Sequence, residues 1–178
     1  ILLLLAINFT MSLETFEWWS WAPSYKLPGF HLDSADSIGH FQPFEAANIK
    51  LHWHSNIMHI LITNHLSTIY HQTVLFLSEF GSLLEHCTMT PGVLMITGDF
   101  NFHVDNKSNS SCINFLQLLE SFNLTQHVCE PTHPSAHTFD LIITRKDENR
   151  IGPIFVTDSI LSDHNLVNGS FSLFKNPP

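Results

Sequence analysis

Two short polar strings, each following an apolar run, carry the residue types that suit hydrolytic chemistry. The run Val93–Thr97 breaks into Gly98–Asn101 (GDFN), and a later run ends in Ser162–His164 (SDH). A carboxylate and an amide at the end of one strand, met by a carboxylate and an imidazole at another, are groups that can support metal-assisted hydrolysis of a phosphodiester. The sequence therefore predicts a site that contains Asp99 and His164.

The size and composition of the chain favour one globular domain that spans residues 1–178. The chain has 178 residues, of which 44% are hydrophobic and 13% are charged. That length supports one real core, and that composition is typical of a folded protein. Residues 46–175 carry clear secondary-structure patterns, whereas residues 1–45 do not.

The charge balance limits how the protein could hold nucleic acid. The formal net charge is -9, and the basic residues are scattered except for Arg145, Lys146 and Arg150. This balance argues against binding of nucleic acid by charge alone. A metal enzyme remains compatible with it, because divalent ions offset local carboxylates.

The cysteines and the apolar start of the chain point to no special class. The three cysteines share no CxxC spacing, so neither a disulfide framework nor a zinc ribbon is expected. Ile1–Ile7 is predicted to be a buried strand cut at its start. The alternative is a targeting segment, but no basic region precedes it, and the run is too short to span a bilayer. No membrane partner is expected.

The pattern of apolar residues predicts alternating strands and helices, that is, an α/β or α+β layered domain. Glu14–Phe44 is broken by Trp and Pro residues and predicts loops and short edge pieces. Strands are expected at 47–53, 57–63, 93–97, 141–144, 155–160 and 166–174, the first two as a β-hairpin.

Two segments show helical spacing. Gln72–Cys87 carries Val74, Leu77 and Leu84, and a helix capped by Ser110 or Ser111 runs to Phe122 with Ile113, Leu116 and Leu119 toward the core.

Three motifs in order resemble those of a known superfamily. Gly98–Asn101, then Thr138–Thr144 (TFDLIIT), then Leu161–His164 (LSDH) are similar to successive motifs of the endonuclease/exonuclease/phosphatase superfamily. The best match is the apurinic-type endonuclease domain of LINE-like, non-LTR retrotransposon polyproteins. The resemblance is carried by the segment from Ile57 to Phe174.

The resemblance implies a four-layered α/β sandwich, in which two packed β-sheets have helices outside, and Mg²⁺- or Mn²⁺-dependent cleavage of DNA phosphodiesters. It implies that Asp99 activates or positions the attacking water and that Asn101 holds the scissile phosphate. It further implies that His164 bonds a phosphate oxygen while Asp140 orients the imidazole.

The remaining implied contacts involve the metal and the DNA. Asp163 would lie on the metal side of the site, and Glu14 resembles the early metal-ligating Glu of the family. Arg145 is a candidate contact to the DNA backbone, with a solvated loop as its alternative. In relatives a reverse transcriptase domain follows. An active enzyme would act inside the cell, in the nucleus if genomic DNA is its substrate.

The sequence also departs from the family pattern. Only thirteen residues precede Glu14, so the first strand of the family, which ends in a metal-binding Asn, is expected to be missing. Asn64–Ser67 stands where relatives carry Tyr-Arg-Pro-Pro, so the Tyr that contacts phosphate is absent. We therefore expect an N-terminally truncated or decayed copy of the family domain that keeps the fold and has an impaired rate.

Each candidate has an ordinary structural alternative. Asp99 and Asn101 could form only an Asx-type turn, and Asp140 could be a solvated residue at a strand start. His52, His54 and His59 could bind zinc, although no HExxH accompanies them. Three further histidines flank the proposed site as substrate contacts or as polar surface residues: His103, His133 and His137.

Three functions remain open at this point. The first is a Mg²⁺-dependent DNA endonuclease. The second is a phosphatase-type phosphoesterase on the same fold, for which the acidic net charge is less of a handicap. The third is a non-catalytic remnant of the family.

Overall fold

The structure, a computed structural model, describes residues 31–41, 44–53, 56–65, 70–159 and 163–172. Within these residues there are eight strands and two helices. In chain order they are β1 (His31–Phe41), β2 (Phe44–Trp53), β3 (Asn56–His65), α1 (Tyr70–Thr88), β4 (Val93–Asp99), α2 (Ser110–Ser121), β5 (Leu124–Gln126), β6 (Asp140–Arg145), β7 (Ile151–Thr157) and β8 (Leu166–Phe171).

The strands form two sheets. The larger sheet has six strands in the order β1-β2-β3-β4-β6-β5, and the smaller one pairs β7 with β8. Strands β3 and β4 are parallel, because α1 carries the chain back across the sheet between them, and β4 pairs with β6 antiparallel. As a result, the end of β4 and the start of β6 lie side by side.

Two apolar cores lie on opposite faces of the larger sheet. On one face, Leu94 and Ile96 of β4 pack under α1 and α2. On the other face, Val93 and Met95 pack against Val167 and Phe171 of β8. The described residues thus form a layer of helices, a six-stranded sheet and a second sheet, which confirms the expected α/β sandwich of two packed sheets.

The N-terminal half of the sheet corrects part of the sequence-based expectation. The hairpin of β2 and β3 is confirmed, but residues 31–41, which were expected to be loops and short pieces, form the eleven-residue edge strand β1. Its pairing with β2 shifts between Leu32 and Ser34 and again between Ser37 and Gly39. Such bulges interrupt strict alternation, which is why the strand left no clear pattern in the sequence.

Both helices are confirmed, but the faces they bury differ from those expected. In α2 the buried residues are Cys112, Phe115 and Leu119, and Ile113 is exposed. The cap is Asn109, whose side chain accepts a hydrogen bond from the Ser111 N–H at 2.9 Å.

In α1, Leu84 is buried and Leu77 packs against the core as expected, but Val74 is 56% exposed. The helix also buries Phe76, Phe80 and Leu83. The aromatic residues decide the orientation of α1, because burying their larger apolar surface is more favourable than burying that of Val74.

A cluster of phenylalanines fixes the loop that follows β4. Phe100 and Phe102 pack with Phe76 and Phe115 at ring-centroid distances of 4.8–6.4 Å. Both side chains are buried beneath the helices. Because these rings are packed in the core between the helices and the larger sheet, they fix the backbone on which Asp99 and Asn101 lie.

Several expectations lie outside the described residues. They concern the Ile1–Ile7 strand, Glu14, and Ser162 of the SDH string.

Candidate functional site

Two carboxylates face each other at the end of the larger sheet. Asp99 ends β4 and Asp140 begins β6, and the two residues are direct partners in the antiparallel ladder. Side chains alternate along a strand, so Asp99 lies on the same face as Met95, which packs in the core between the sheets. Directly opposed residues have Cβ atoms about 4.5–5.5 Å apart. The carboxylates therefore lie close together at one end of the layer between the two sheets.

The Asp99 carboxyl is buried and lies near other negative charges, so its ionised form is disfavoured. Asp99 is 4% exposed and Asp140 is 7% exposed. Burial, followed by the negative charge of Asp140, raises the pKa of Asp99 to about 6. The charge of Asp163 acts in the same direction, whereas His164 and a backbone hydrogen bond from Asn101 lower this pKa. A positive charge at this point would relieve the repulsion.

An imidazole lies against the second carboxylate. His164 Nδ1 is 2.7 Å from Asp140 Oδ2, and both residues are buried. The hydrogen bond to Asp140 raises the pKa of His164 against the opposing effect of burial, and the charges of Asp140, Asp99 and Asp163 add to it. With Nδ1 engaged by Asp140, the imidazole has Nε2 as its second hydrogen-bonding nitrogen.

Thr132 connects the strand that carries Asp140 to the loop that carries His164. Its side chain is fully buried, and its Oγ1 accepts hydrogen bonds from the N–H groups of Phe139 at 3.0 Å and Asp140 at 3.1 Å. Its carbonyl accepts a hydrogen bond from Asn165 N at 2.8 Å. One residue thereby fixes the backbone on both sides of the Asp140–His164 contact.

Asn101 lies in a tight turn just beyond Asp99. Its N–H donates to Asp99 Oδ1 at 2.9 Å, and its φ of 53° is in the left-handed region that Asn tolerates better than most residues. Gly98, with φ of 147°, precedes the pair. The Asx-type turn considered as an alternative is therefore present, and it places Asn101 beside Asp99.

Asp163 and His133 lie at the rim of the same cluster. The side chain of Asp163 is 65% exposed, and its Oδ2 is 3.9 Å from His133 Nε2. The His133 ring stands edge-on to His164 at a centroid distance of 5.2 Å. One ligand atom from each of His133, Asp163 and His164 lies within 4.8 Å of the others, a spacing that could hold a metal ion.

The structure does not bring Arg145 to this cluster. Arg145 ends β6, the strand that begins at Asp140, and its guanidinium donates to the carbonyls of Gly92, Thr88 and Thr90 at 2.6–3.2 Å. Five residues along a strand span about 16 Å. The guanidinium therefore stabilises the turn between α1 and β4. This position does not support the expected role of Arg145 as a substrate contact.

Other candidates were less visible or lie elsewhere. Glu14 and His54 fall outside the described residues. His52 and His59 lie on the paired strands β2 and β3, away from the GDFN end of β4. Thr132 could not be found from the sequence, because a threonine eight residues before an aspartate is a common arrangement. Its role depends on the fold of the loop, which brings the Thr132 hydroxyl to the N–H of Asp140.

Comparison with known proteins identifies the fold. Neither a protein-family model nor a curated protein sequence matches the chain. Among solved structures, the endonuclease domain of TRAS1, a telomere-specific non-LTR retrotransposon, superposes with a TM-score of 0.60 at 17% identity, over 80% of this chain and 69% of that one.

Two further structures show the same likeness. The endonuclease/exonuclease/phosphatase from Bacteroides vulgatus gives a TM-score of 0.65 at 11% identity, over 84% of this chain and 69% of that one. TDP2 from D. rerio, complexed with a single-strand DNA product, gives 0.57 at 11% identity, over 82% and 69%. The chain has the endonuclease/exonuclease/phosphatase fold, as the three motifs led us to expect.

Among the described residues, no helix is both long enough and apolar enough to cross a membrane.

Proposed function

We propose that this protein is a Mg²⁺- or Mn²⁺-dependent phosphodiesterase that acts on DNA, an endonuclease domain of the retroelement type. One observation carries the proposal: His164 lies 2.7 Å from Asp140, which is in turn the cross-strand partner of Asp99. Two carboxylates, and an imidazole that one of them contacts, thus lie together where β4 ends and β6 begins. Groups of these types can act as base and hydrogen-bond donor in the hydrolysis of a phosphate ester.

The donor atoms of the cluster fit a hard divalent cation. Asp99 and Asp140 offer buried carboxylate oxygens whose mutual repulsion a cation would relieve, and Asp163 offers an exposed one at the rim. By resemblance, Glu14 would add a further oxygen. When bound there, Mg²⁺ or Mn²⁺ supplies positive charge to the phosphate oxygens of the substrate.

The side chains of the protein account for the remaining steps. The Asp99 carboxylate would accept a proton from the attacking water, and the Asn101 amide would donate to a phosphate oxygen. His164 Nε2–H would donate to another phosphate oxygen as negative charge develops there, while Asp140 holds Nδ1 in the matching tautomer. Removal of Asp140 would free the ring to rotate away from the substrate.

The choice of DNA rests on the similar structures together with the local chemistry. One similar structure is the endonuclease domain of TRAS1, a non-LTR retrotransposon, and another, D. rerio TDP2, holds a single-strand DNA product. With a net charge of -9, this chain cannot rely on long-range attraction of the DNA backbone. Binding is therefore expected to depend on the divalent cation and on contacts to the scissile phosphate.

The same acidity favours one competing function, a phosphatase that acts on a small phosphomonoester. Such a substrate needs few phosphate contacts, so a weakly basic surface is less costly. A non-catalytic remnant is the third possibility. These alternatives differ in substrate and in metal response, so one set of assays separates them.

The test is nicking of supercoiled plasmid by the full chain in Mg²⁺ and in EDTA, beside hydrolysis of a chromogenic phosphate diester and a monoester. We expect Mg²⁺-dependent nicking and diester hydrolysis. Asp99→Asn should reduce the nicking rate about 10²–10⁴-fold, whereas Glu85→Gln, the same change on the exposed side of α1, should not alter it.

The controls separate loss of chemistry from loss of fold. In EDTA, Asp99→Asn should melt at or above the wild-type temperature, because it removes a buried charge that Asp140 repels. Monoester hydrolysis without nicking would replace the proposal with the phosphatase. A folded protein that is silent on every substrate would establish a remnant.

A further inference from the structure

A second group of metal-ligating side chains lies beside the proposed site and takes no part in it. His103 and Asp105 lie in the loop after Asn101, and His137 lies in the loop before Asp140. One ligand atom from each of the three residues lies within 4.8 Å of the others. The rings of His103 and His137 stand edge-on with centroids 4.2 Å apart. Two imidazoles and a carboxylate from two loops therefore converge at one point on the surface.

Hydrogen bonds already hold two of these side chains in position. His137 Nδ1 is 3.0 Å from Asp105 Oδ2, and Asp105 Oδ1 accepts the Thr138 N–H at 3.1 Å. The contact between His137 and Asp105 keeps their two ligand atoms close together, and an ion that binds both groups would replace the proton that they share.

We propose that His103, Asp105 and His137 bind a divalent transition-metal ion, with Zn²⁺ as the best fit. Two imidazole nitrogens favour Zn²⁺, Co²⁺ or Ni²⁺ over Mg²⁺, which prefers oxygen ligands. The three side chains would occupy three positions of a tetrahedral site and leave the fourth to water or to another ligand. This trio is distinct from the histidine set considered for zinc at the sequence level.

The site is separate from the catalytic cluster but connected to it. The centroid of the Phe139 ring is 4.9 Å from that of His103 and 5.8 Å from that of His137. It is 6.4 Å from the centroid of the His164 ring. A bound ion would tie the loop that follows Asp99 and Asn101 to the loop that precedes Asp140. Because it binds only the folded arrangement of both loops, the ion should stabilise the protein.

The test is titration of the metal-free full chain with Co²⁺, followed by visible absorption, and then displacement by Zn²⁺. We expect a stoichiometric visible band that Zn²⁺ abolishes and that excess Mg²⁺ does not. His103→Ala and His137→Ala should each weaken Co²⁺ binding at least about tenfold. His86→Ala is the matched control, because His86 is exposed in the last turn of α1 and belongs to neither group of possible metal ligands, and it should bind Co²⁺ as the wild type does. His133→Ala reports separately on the other histidine group.

Two outcomes would overturn the proposal. One is the absence of a visible band with the folded wild type. The other is a band lost in His133→Ala and kept in His137→Ala, which would place the ion in the catalytic cluster. His137→Gln, which keeps a polar side chain at the half-buried position, serves as a second variant, and its circular dichroism spectrum in EDTA reports the fold. Neither outcome depends on nicking activity, so this test is independent of the proposed function.

Discussion

At the scale of single residues, Thr132 is the residue on which the geometry of the candidate site most depends. Its hydroxyl accepts two backbone N–H groups at the start of β6, and its carbonyl accepts the N–H of Asn165 next to His164. The Asp140–His164 contact joins side chains from these two segments. Thr132 is therefore a positioning residue that acts through the backbone.

Thr132→Val tests this role with almost no change in side-chain shape. Valine leaves the N–H groups of Phe139 and Asp140 without their acceptor, and a buried unsatisfied donor costs about 1–3 kcal/mol. We expect that loss in the free energy of unfolding measured with urea, together with slower nicking. Thr132→Ser, which keeps the hydroxyl, should lie close to the wild type in both assays. Equal behaviour of the two variants would show that the hydroxyl is dispensable.

The sequence predicted some residues of the site and missed others for a physical reason. Asp99, Asp140 and His164 stand in motifs next to apolar strands, and the structure brings them together. Thr132 was missed, and His103 and His137 were expected only to flank the site. The hydrogen bonds of Thr132 and the grouping of the two histidines with Asp105 depend on loop closure and on the register of β4 with β6. Local sequence patterns carry no information on either of these.

At the scale of elements, Arg145 fastens β6 to the end of α1. Its guanidinium satisfies three carbonyls in and after the last turn of that helix, groups that have no partner within the helix itself. This role differs from the DNA contact that the local cluster of basic residues suggested.

Arg145→Ala distinguishes the two roles. We expect it to lower the free energy of unfolding by about 1–3 kcal/mol and to leave the DNA affinity, measured by fluorescence anisotropy at fixed salt, unchanged. Lys146→Ala removes the same charge from the neighbouring residue, which pairs with Glu120 on the surface, and should affect stability little. Weaker DNA binding by Arg145→Ala at undiminished stability would restore the substrate role.

The turn between β6 and β7 contains a partly buried ion pair whose contribution to stability should depend on pH. Arg150 Nε and Nη2 donate to the two oxygens of Glu148 at 2.7 and 2.6 Å. Burial acts to raise the pKa of Glu148, but the hydrogen bonds and charge of Arg150 outweigh it and hold the pKa below the ordinary 4.5. A carboxylate with a lowered pKa stabilises the fold above its unfolded pKa and loses that contribution as the pH falls through the folded pKa.

Glu148→Gln should therefore destabilise the protein at pH 7 by about 1–3 kcal/mol. The difference from the wild type should shrink as the pH falls below 4.5, because the wild-type carboxylate then becomes protonated and loses its advantage. Urea unfolding from pH 7 to pH 3 measures both parts. A difference that does not change with pH would mean that the pair contributes through packing and not through charge.

The elements also show what period and composition can predict. The hairpin, both helices, β4 and β6 followed from their apolar spacing. Strands β7 and β8 were expected too, with ends that differ by a few residues from those observed. The bulged strand β1 and the three-residue strand β5 were missed, because neither has enough regular alternation to register.

At the scale of the whole molecule, the site lies where the layers meet. Asp99 and Asp140 lie at one end of the core between the sheets. Strand β8 packs into that core through Val167 and Phe171, and His164, which lies just before β8, therefore reaches Asp140. The order of the strands in the larger sheet, with one parallel pair among antiparallel ones, could not be read from the sequence. It was available only through the resemblance to the superfamily.

The central claim is that Asp140 and His164 act as one hydrolytic unit with Asp99. The most direct measurement is single-turnover nicking of supercoiled DNA in Mg²⁺ by the wild type, Asp140→Asn, His164→Gln and the double variant. Each single change is expected to slow nicking about 10²–10⁴-fold, and the double variant should be no slower than the slower single one, because residues that act as a unit are not additive. Rate losses that multiply, or single variants that nick like the wild type, would contradict the account.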